Sequence, residues 1–233
     1  MAVSTSTIAV PVAGGTMSAF LALPEGGRGR PIVMLQEIFG VNDAMKSKAR
    51  AFAEEGFVVL VPDLFWRLKP GIDLGYDDDG RQQAFGHMQA FDFKAGIGDI
   101  KAAFQALAAR DDVQGMPAYV GYCLGGKLAV VAGAATADAA AVVAFYGVKL
   151  DENIEQIGAM QCPVVLHFGT DDTHIPVEVS SNIQQALADS DHVAVHIYDG
   201  AQHGFANPVR GNVFDPPAAE LAMTRTLDAL RSV

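Results

Sequence analysis

Apolar residues in this chain collect in short continuous runs instead of alternating with polar ones. The runs cover 32–35, 57–61, 118–122, 141–145, 164–168 and 193–198. Such runs predict strands buried on both faces of a parallel sheet. Between them lie helix-compatible stretches at 44–55, 98–109, 125–135, 177–187 and 217–230. Strands alternating with helices predict βαβ units and an α/β fold. Near the start, 7–10 and 17–23 flank Gly14-Gly15, the pattern of an antiparallel hairpin. The stretch 65–93 breaks this rhythm with Gly, Pro and the acidic run Asp77-Asp78-Asp79. It predicts an excursion above the sheet, where lids and pocket walls sit.

At 233 residues with half of them hydrophobic, the chain is long enough for one large core, and a single domain over 1–233 is expected. It carries 27 acidic and 16 basic residues, a formal net charge of -11. That charge repels phosphate backbones and anionic bilayers, so neither nucleic acid nor membrane is an expected partner. The first ten residues lack the basic and apolar regions of a signal peptide. The apolar stretch 128–148 is broken by Thr136, Asp138 and glycines, and predicts a buried helix followed by a strand. Two cysteines, Cys123 and Cys162, are too few for a disulfide framework. A cytoplasmic, reducing setting is the expectation.

Chemistry concentrates after three successive strands. Gly121-Tyr122-Cys123-Leu124-Gly125-Gly126 follows a buried run and opens a small-residue helix. This is the setting of a nucleophile elbow with Cys in place of Ser. The tight turn strains the nucleophile's backbone, and close approach of strand and helix demands small residues two before and two after it. The helix N-terminus favours a thiolate. The alternative is a structural cysteine in an ordinary turn. Past the run 164–168 come Asp171 and Asp172, either of which could orient a histidine or merely cap a turn. Past 193–198 comes His203. The order nucleophile, acid, base is that of the α/β-hydrolases. His167, His192 and His196 read as structural, and His174 is too near the acid in sequence to be the base. His87 is a candidate pocket-wall residue. No histidine or cysteine spacing suits a metal, and no glycine-rich nucleotide fingerprint is present, so neither metal nor cofactor is expected.

Together with Gln36-Glu37-Ile38-Phe39-Gly40, Val61-Pro62-Asp63-Leu64, Ala90-Phe91-Asp92 and His203-Gly204-Phe205, these blocks resemble the dienelactone hydrolase (carboxymethylenebutenolidase) family over nearly the whole chain. The resemblance implies an α/β-hydrolase fold, a mostly parallel sheet flanked by helices with an N-terminal antiparallel hairpin. It implies Cys123 as nucleophile, His203 as base, Asp172 as acid, and Glu37 as a buried partner of the resting nucleophile. The backbone amides of Leu124 and Ile38 become the oxyanion donors. Arg81, Phe85, Asn207 and Phe39 become substrate-binding positions. Two of these depart from the family pattern: Asn207 stands where a second carboxylate-binding arginine is expected, and Phe85 where a tyrosine is. Arg210 is the nearest arginine to the first of these. The expected function is cysteine-dependent hydrolysis of a small lactone or activated ester through an acyl-thioester. A non-catalytic ligand-binding protein on the same fold is the alternative. The sequence does not set the oligomeric state, although a monomer is favoured.

Overall fold

A computed structural model describes residues 3–233. By contacts the chain forms two compact units, Met1–Pro117 and Ala118–Val233.

The first unit begins with the expected hairpin. Strands β1 (Ser4–Val12) and β2 (Gly15–Leu23) pair antiparallel along their whole length, with Gly14 at φ 85° in the turn. Helix α1 (Asp43–Glu54) lies between β3 (Arg30–Leu35) and β4 (Phe57–Pro62). The strand order is β1-β2-β4-β3, with β2 antiparallel and β3 parallel to β4. All six residues of β4 are buried, as its unbroken apolar run requires. Asn42 starts α1 by accepting a hydrogen bond from the Met45 amide at 3.1 Å, and Ala44, Met45, Ala49, Phe52 and Ala53 form its buried stripe. The excursion at 65–93 contains a helix that the pattern did not predict, α2 (Asp78–Ala90), before α3 (Phe93–Ala108). Asp77 caps α2 by accepting from the Gly80 amide at 2.7 Å. Only Gly80 and Ala84 of α2 are buried, so no apolar periodicity marks it.

The second unit is a four-stranded parallel sheet in the order β5-β6-β7-β8. Its strands are β5 (Ala118–Tyr122), β6 (Val142–Phe145), β7 (Val164–Gly169) and β8 (Val193–Tyr198). The first three are buried throughout. β8 is an edge strand, and five of its six residues are only half-buried. Helix α4 (Leu124–Ala134) connects β5 to β6, and α6 (Val177–Ala186) connects β7 to β8. A 3₁₀ turn (Leu150–Asn153) and a short helix α5 (Ile154–Ala159) fill the path from β6 to β7, where no helix was expected. Helix α7 (Pro216–Arg231) closes the chain, with Pro in its first turn and Asp215 accepting from the Ala218 amide at 3.0 Å. No helix among the described residues is long and apolar enough to cross a membrane.

Candidate active site

Three loops at the C-terminal ends of parallel strands carry the candidate chemistry of the second unit, the usual position for sites in open α/β sheets. Cys123 follows β5 directly, with φ 57° and ψ -115°. A non-glycine residue at positive φ is strained, and here the strain turns strand into helix within one residue. The turn is held by the Cys123 amide donating to Phe145 O at 3.0 Å and by the Gly126 amide donating to Cys123 O at 3.0 Å. A Cβ on Gly121 would collide with the Gly125 carbonyl, and one on Gly126 would stand 2.8 Å from the Gly147 Cα. The small residues are therefore obligatory for the geometry. Leu124 is the first residue of α4, so its amide is one that a helix leaves without an intrahelical acceptor.

Asp172 follows β7 and is 4% exposed. Its Oδ2 accepts from His203 Nδ1 at 2.8 Å, while its Oδ1 accepts from the His174 and Ile175 amides at 2.8 and 3.0 Å. Asp171 is exposed, and its Oδ1 accepts from the Thr170 hydroxyl at 3.1 Å. The structure thus pairs His203 with Asp172. His203 sits in the loop after β8 and is 7% exposed. Burial pushes its proton affinity down, but charge on Cys123 and hydrogen bonds to Asp172 and Cys123 outweigh burial and raise it to about 10. With Nδ1 taken by Asp172, the Cys123 sulfur falls to Nε2. Two rings fix the imidazole plane. Tyr146 packs against it at 5.0 Å between centroids and 60°, and His174 at 4.6 Å and 78°. Tyr146 is itself fully buried and strained, at φ 38°. Sequence reasoning had no signal for it.

Asn207 is fully buried, and its Oδ1 accepts from the Val209 amide at 3.2 Å. Arg210 folds back over Gly204, where its guanidinium occupies the place a side chain would need. Gly204 has φ 91°, which suits glycine there twice over. His167 takes no part. It is fully buried between the Tyr198 hydroxyl at 2.9 Å and the Thr226 hydroxyl at 3.0 Å. Burial, then the neighbouring His196 and Arg225, holds its imidazole well below the usual range.

The remaining expected residues belong to the first unit. Glu37 and Ile38 follow β3 and are 2% and 5% exposed. The Tyr76 hydroxyl donates to Glu37 Oε2 at 2.7 Å, and the Tyr76 ring packs on Phe39 at 4.4 Å. Lys48 on α1 is buried as well. Desolvation lowers its affinity for a proton to about 8, against the pull of the Glu37 charge. Neither Tyr76 nor Lys48 was expected from the sequence; they lie 39 and 11 positions from Glu37, and no local motif joins them. Arg81 and Phe85 are on α2 and largely exposed, with Arg81 Nη2 donating to Tyr76 O at 3.2 Å. His87, on the same helix, has its ring 5.9 Å from that of Phe65.

The model of the dienelactone hydrolase family matches residues 17–233. The chain belongs to this family. Among curated relatives, carboxymethylenebutenolidase of Pseudomonas sp. (strain P51) is 37% identical over 94% of this chain and 91% of its own length. That of Pseudomonas putida is 35% identical over 93% and 92%. Solved structures agree on the fold. A Klebsiella pneumoniae protein described as a candidate dienelactone hydrolase covers all of both chains with a TM-score of 0.86 at 21% identity. Dienelactone hydrolase from Anabaena variabilis covers 99% of this chain and 98% of its own with a TM-score of 0.72 at 18% identity. The fold of this dienelactone hydrolase family member is therefore that of the α/β-hydrolases, with the antiparallel hairpin and mostly parallel strands expected.

Proposed function

We propose that this chain hydrolyses lactones or activated esters of small molecules, with Cys123 as nucleophile, His203 as general base and Asp172 as its orienting acid. The observation that carries the reading is the elbow at Cys123 together with a buried His203 whose Nδ1 is held by Asp172. The curated relatives named carboxymethylenebutenolidase support the substrate class. The family match runs through the boundary between the two units, which supports one catalytic domain over 1–233.

The reactive form pairs a Cys123 thiolate with a His203 imidazolium. The sulfur attacks the acyl carbon, and the carbonyl electrons move to oxygen, stabilised by the Leu124 and Ile38 amides. Collapse of the tetrahedral adduct expels the enolate or phenolate, which takes the proton from His203. Acylation also removes the Cys123 charge that raised His203, so burial then favours the neutral ring. That neutral ring takes a proton from water as its oxygen attacks the thioester. The second collapse releases the acid and restores the thiolate and imidazolium. Sulfur is selective here: thiolate leaves more readily than a simple alkoxide, so unactivated alkyl esters revert, while enol-lactones and aryl esters go forward. Glu37 takes the role of gating the resting nucleophile, with Tyr76 and Lys48 stabilising its carboxylate. Arg81, Phe85 and Phe39 are assigned to substrate contact. The acidic chain with two cysteines fits a cytoplasmic setting.

The test is hydrolysis of p-nitrophenyl acetate by the parent, by Cys123→Ala and by Cys162→Ala. The reading expects loss in the first variant and retention in the second. Absence of turnover by the parent would favour a ligand-binding role instead.

A further inference from the structure

The loops that carry Asp172 and His203 leave neighbouring strands and stay tied to each other beyond the ends of β7 and β8. The Thr170 amide donates to Tyr198 O at 2.9 Å, and the Asp171 amide donates to Ala201 O at 3.0 Å. Between these two main-chain bonds lies one made by a side chain: the Gly200 amide donates to Thr170 Oγ1 at 2.8 Å. The Thr170 hydroxyl in turn donates to Asp171 Oδ1 at 3.1 Å, which leaves its lone pairs for Gly200. The loops also approach closely, because a Cβ on Gly169 would collide with the Ala201 carbonyl. Asp172 lies two positions past Thr170, and His203 three past Gly200. Asp172 is fixed within its own loop by the His174 and Ile175 amides. Its bond to His203 has to span both loops, so the length of that bond depends on what ties them together.

We propose that Thr170 is a positioning residue, whose hydroxyl ties the base loop to the acid loop and so holds His203 Nδ1 at 2.8 Å from Asp172 Oδ2. Its effect on turnover rests on the hydrolase reading above; its effect on the pair does not. Gly200 is exposed, so water can take its amide when the hydroxyl is removed, and the fold loses little. What changes is the placement of the base against the acid.

The experiment compares Thr170→Val, which swaps the hydroxyl for a methyl of the same shape, with Thr170→Ser, which keeps it. Two readouts are taken: kcat/KM on p-nitrophenyl acetate, and titration of the His203 ring followed by nitrogen NMR. A misplacement of about 1 Å can cost about 10²-fold; with both main-chain ties retained, Thr170→Val should lose about tenfold. A loosened bond to the carboxylate also favours the imidazolium less, so the His203 midpoint should fall by about half a pH unit. Thr170→Ser should stay within about twofold of the parent and keep its midpoint. Parental activity and an unchanged midpoint in Thr170→Val overturn the proposal, and so does failure of Thr170→Ser to restore both. A lowered midpoint in Thr170→Val, with no p-nitrophenyl acetate hydrolysis by the parent, would sink the hydrolase reading and leave the positioning of the pair standing.

Discussion

Replacing Asp172 by Asn tests the orienting acid at a site where the structure fixes the outcome. The carboxylate accepts three N–H groups, two at Oδ1 and one at Oδ2. An amide has one acceptor oxygen. If that oxygen keeps the His174 and Ile175 amides, the NH₂ faces His203 Nδ1, which must then be unprotonated. The proton moves to Nε2, where the sulfur's proton should be received. If the amide flips, NH₂ faces two buried donors, at about 1–3 kcal/mol for each amide left unpaired. The first arrangement is therefore preferred: His203 is locked in the wrong tautomer, and the protein loses the stability that the charged ring contributes at neutral pH. Loss of activity should reach about 10³–10⁴-fold. Asp171→Asn touches only an exposed hydroxyl contact and should stay within about twofold, as surface changes do. The assay is kcat/KM on p-nitrophenyl acetate beside a urea unfolding curve. Retention of a tenth of parental activity in Asp172→Asn, with an intact fold, would refute the reasoning. So would equal losses at the two aspartates.

His203 is held at about 10 in the fold against an ordinary 6.5, so its charged form stabilises the protein fully below about 6.5 and that contribution is lost as pH rises through about 10. The urea midpoint should accordingly fall between pH 7 and pH ~10.5 in the parent and fall less in His203→Gln; equal slopes would contradict the ion pair. Gly121→Ala places a methyl on the Gly125 carbonyl, and should cost about 3 kcal/mol or more and yield little soluble protein. Tyr76→Phe leaves the buried Glu37 carboxylate without its 2.7 Å donor, and should lower stability by about 1–3 kcal/mol in urea unfolding.

The frame of the fold was readable because buried parallel strands leave an unmistakable trace. The runs at 118–122 and 193–198 coincide with β5 and β8, and the hairpin around Gly14 is where the turn residues put it. What escaped notice lacked that trace. Helix α2 buries a glycine and an alanine, so its sequence resembles a polar loop. Helix α5 is six residues long and follows a 3₁₀ turn, too short to display a period. At the site, the motif residues were legible because each sits just past a strand, but their supports were not. Tyr146 reaches His203 through a strained backbone angle that no sequence pattern encodes, and Tyr76 meets Glu37 across a long separation in the chain. In sequence, His174 lies too near the acid to be the base. That nearness is what folds its ring onto His203, through the second oxygen of Asp172.

The central claim is a covalent acyl group on one sulfur. Rapid quenching of the protein during the first turnover of p-nitrophenyl acetate, followed by peptide mass spectrometry, reads it directly. The account predicts an acetyl group on the peptide containing Cys123 and none on the peptide containing Cys162, with the label persisting longer in His203→Ala once formed. Turnover with no acetyl on Cys123, or undiminished hydrolysis by Cys123→Ala, would contradict it.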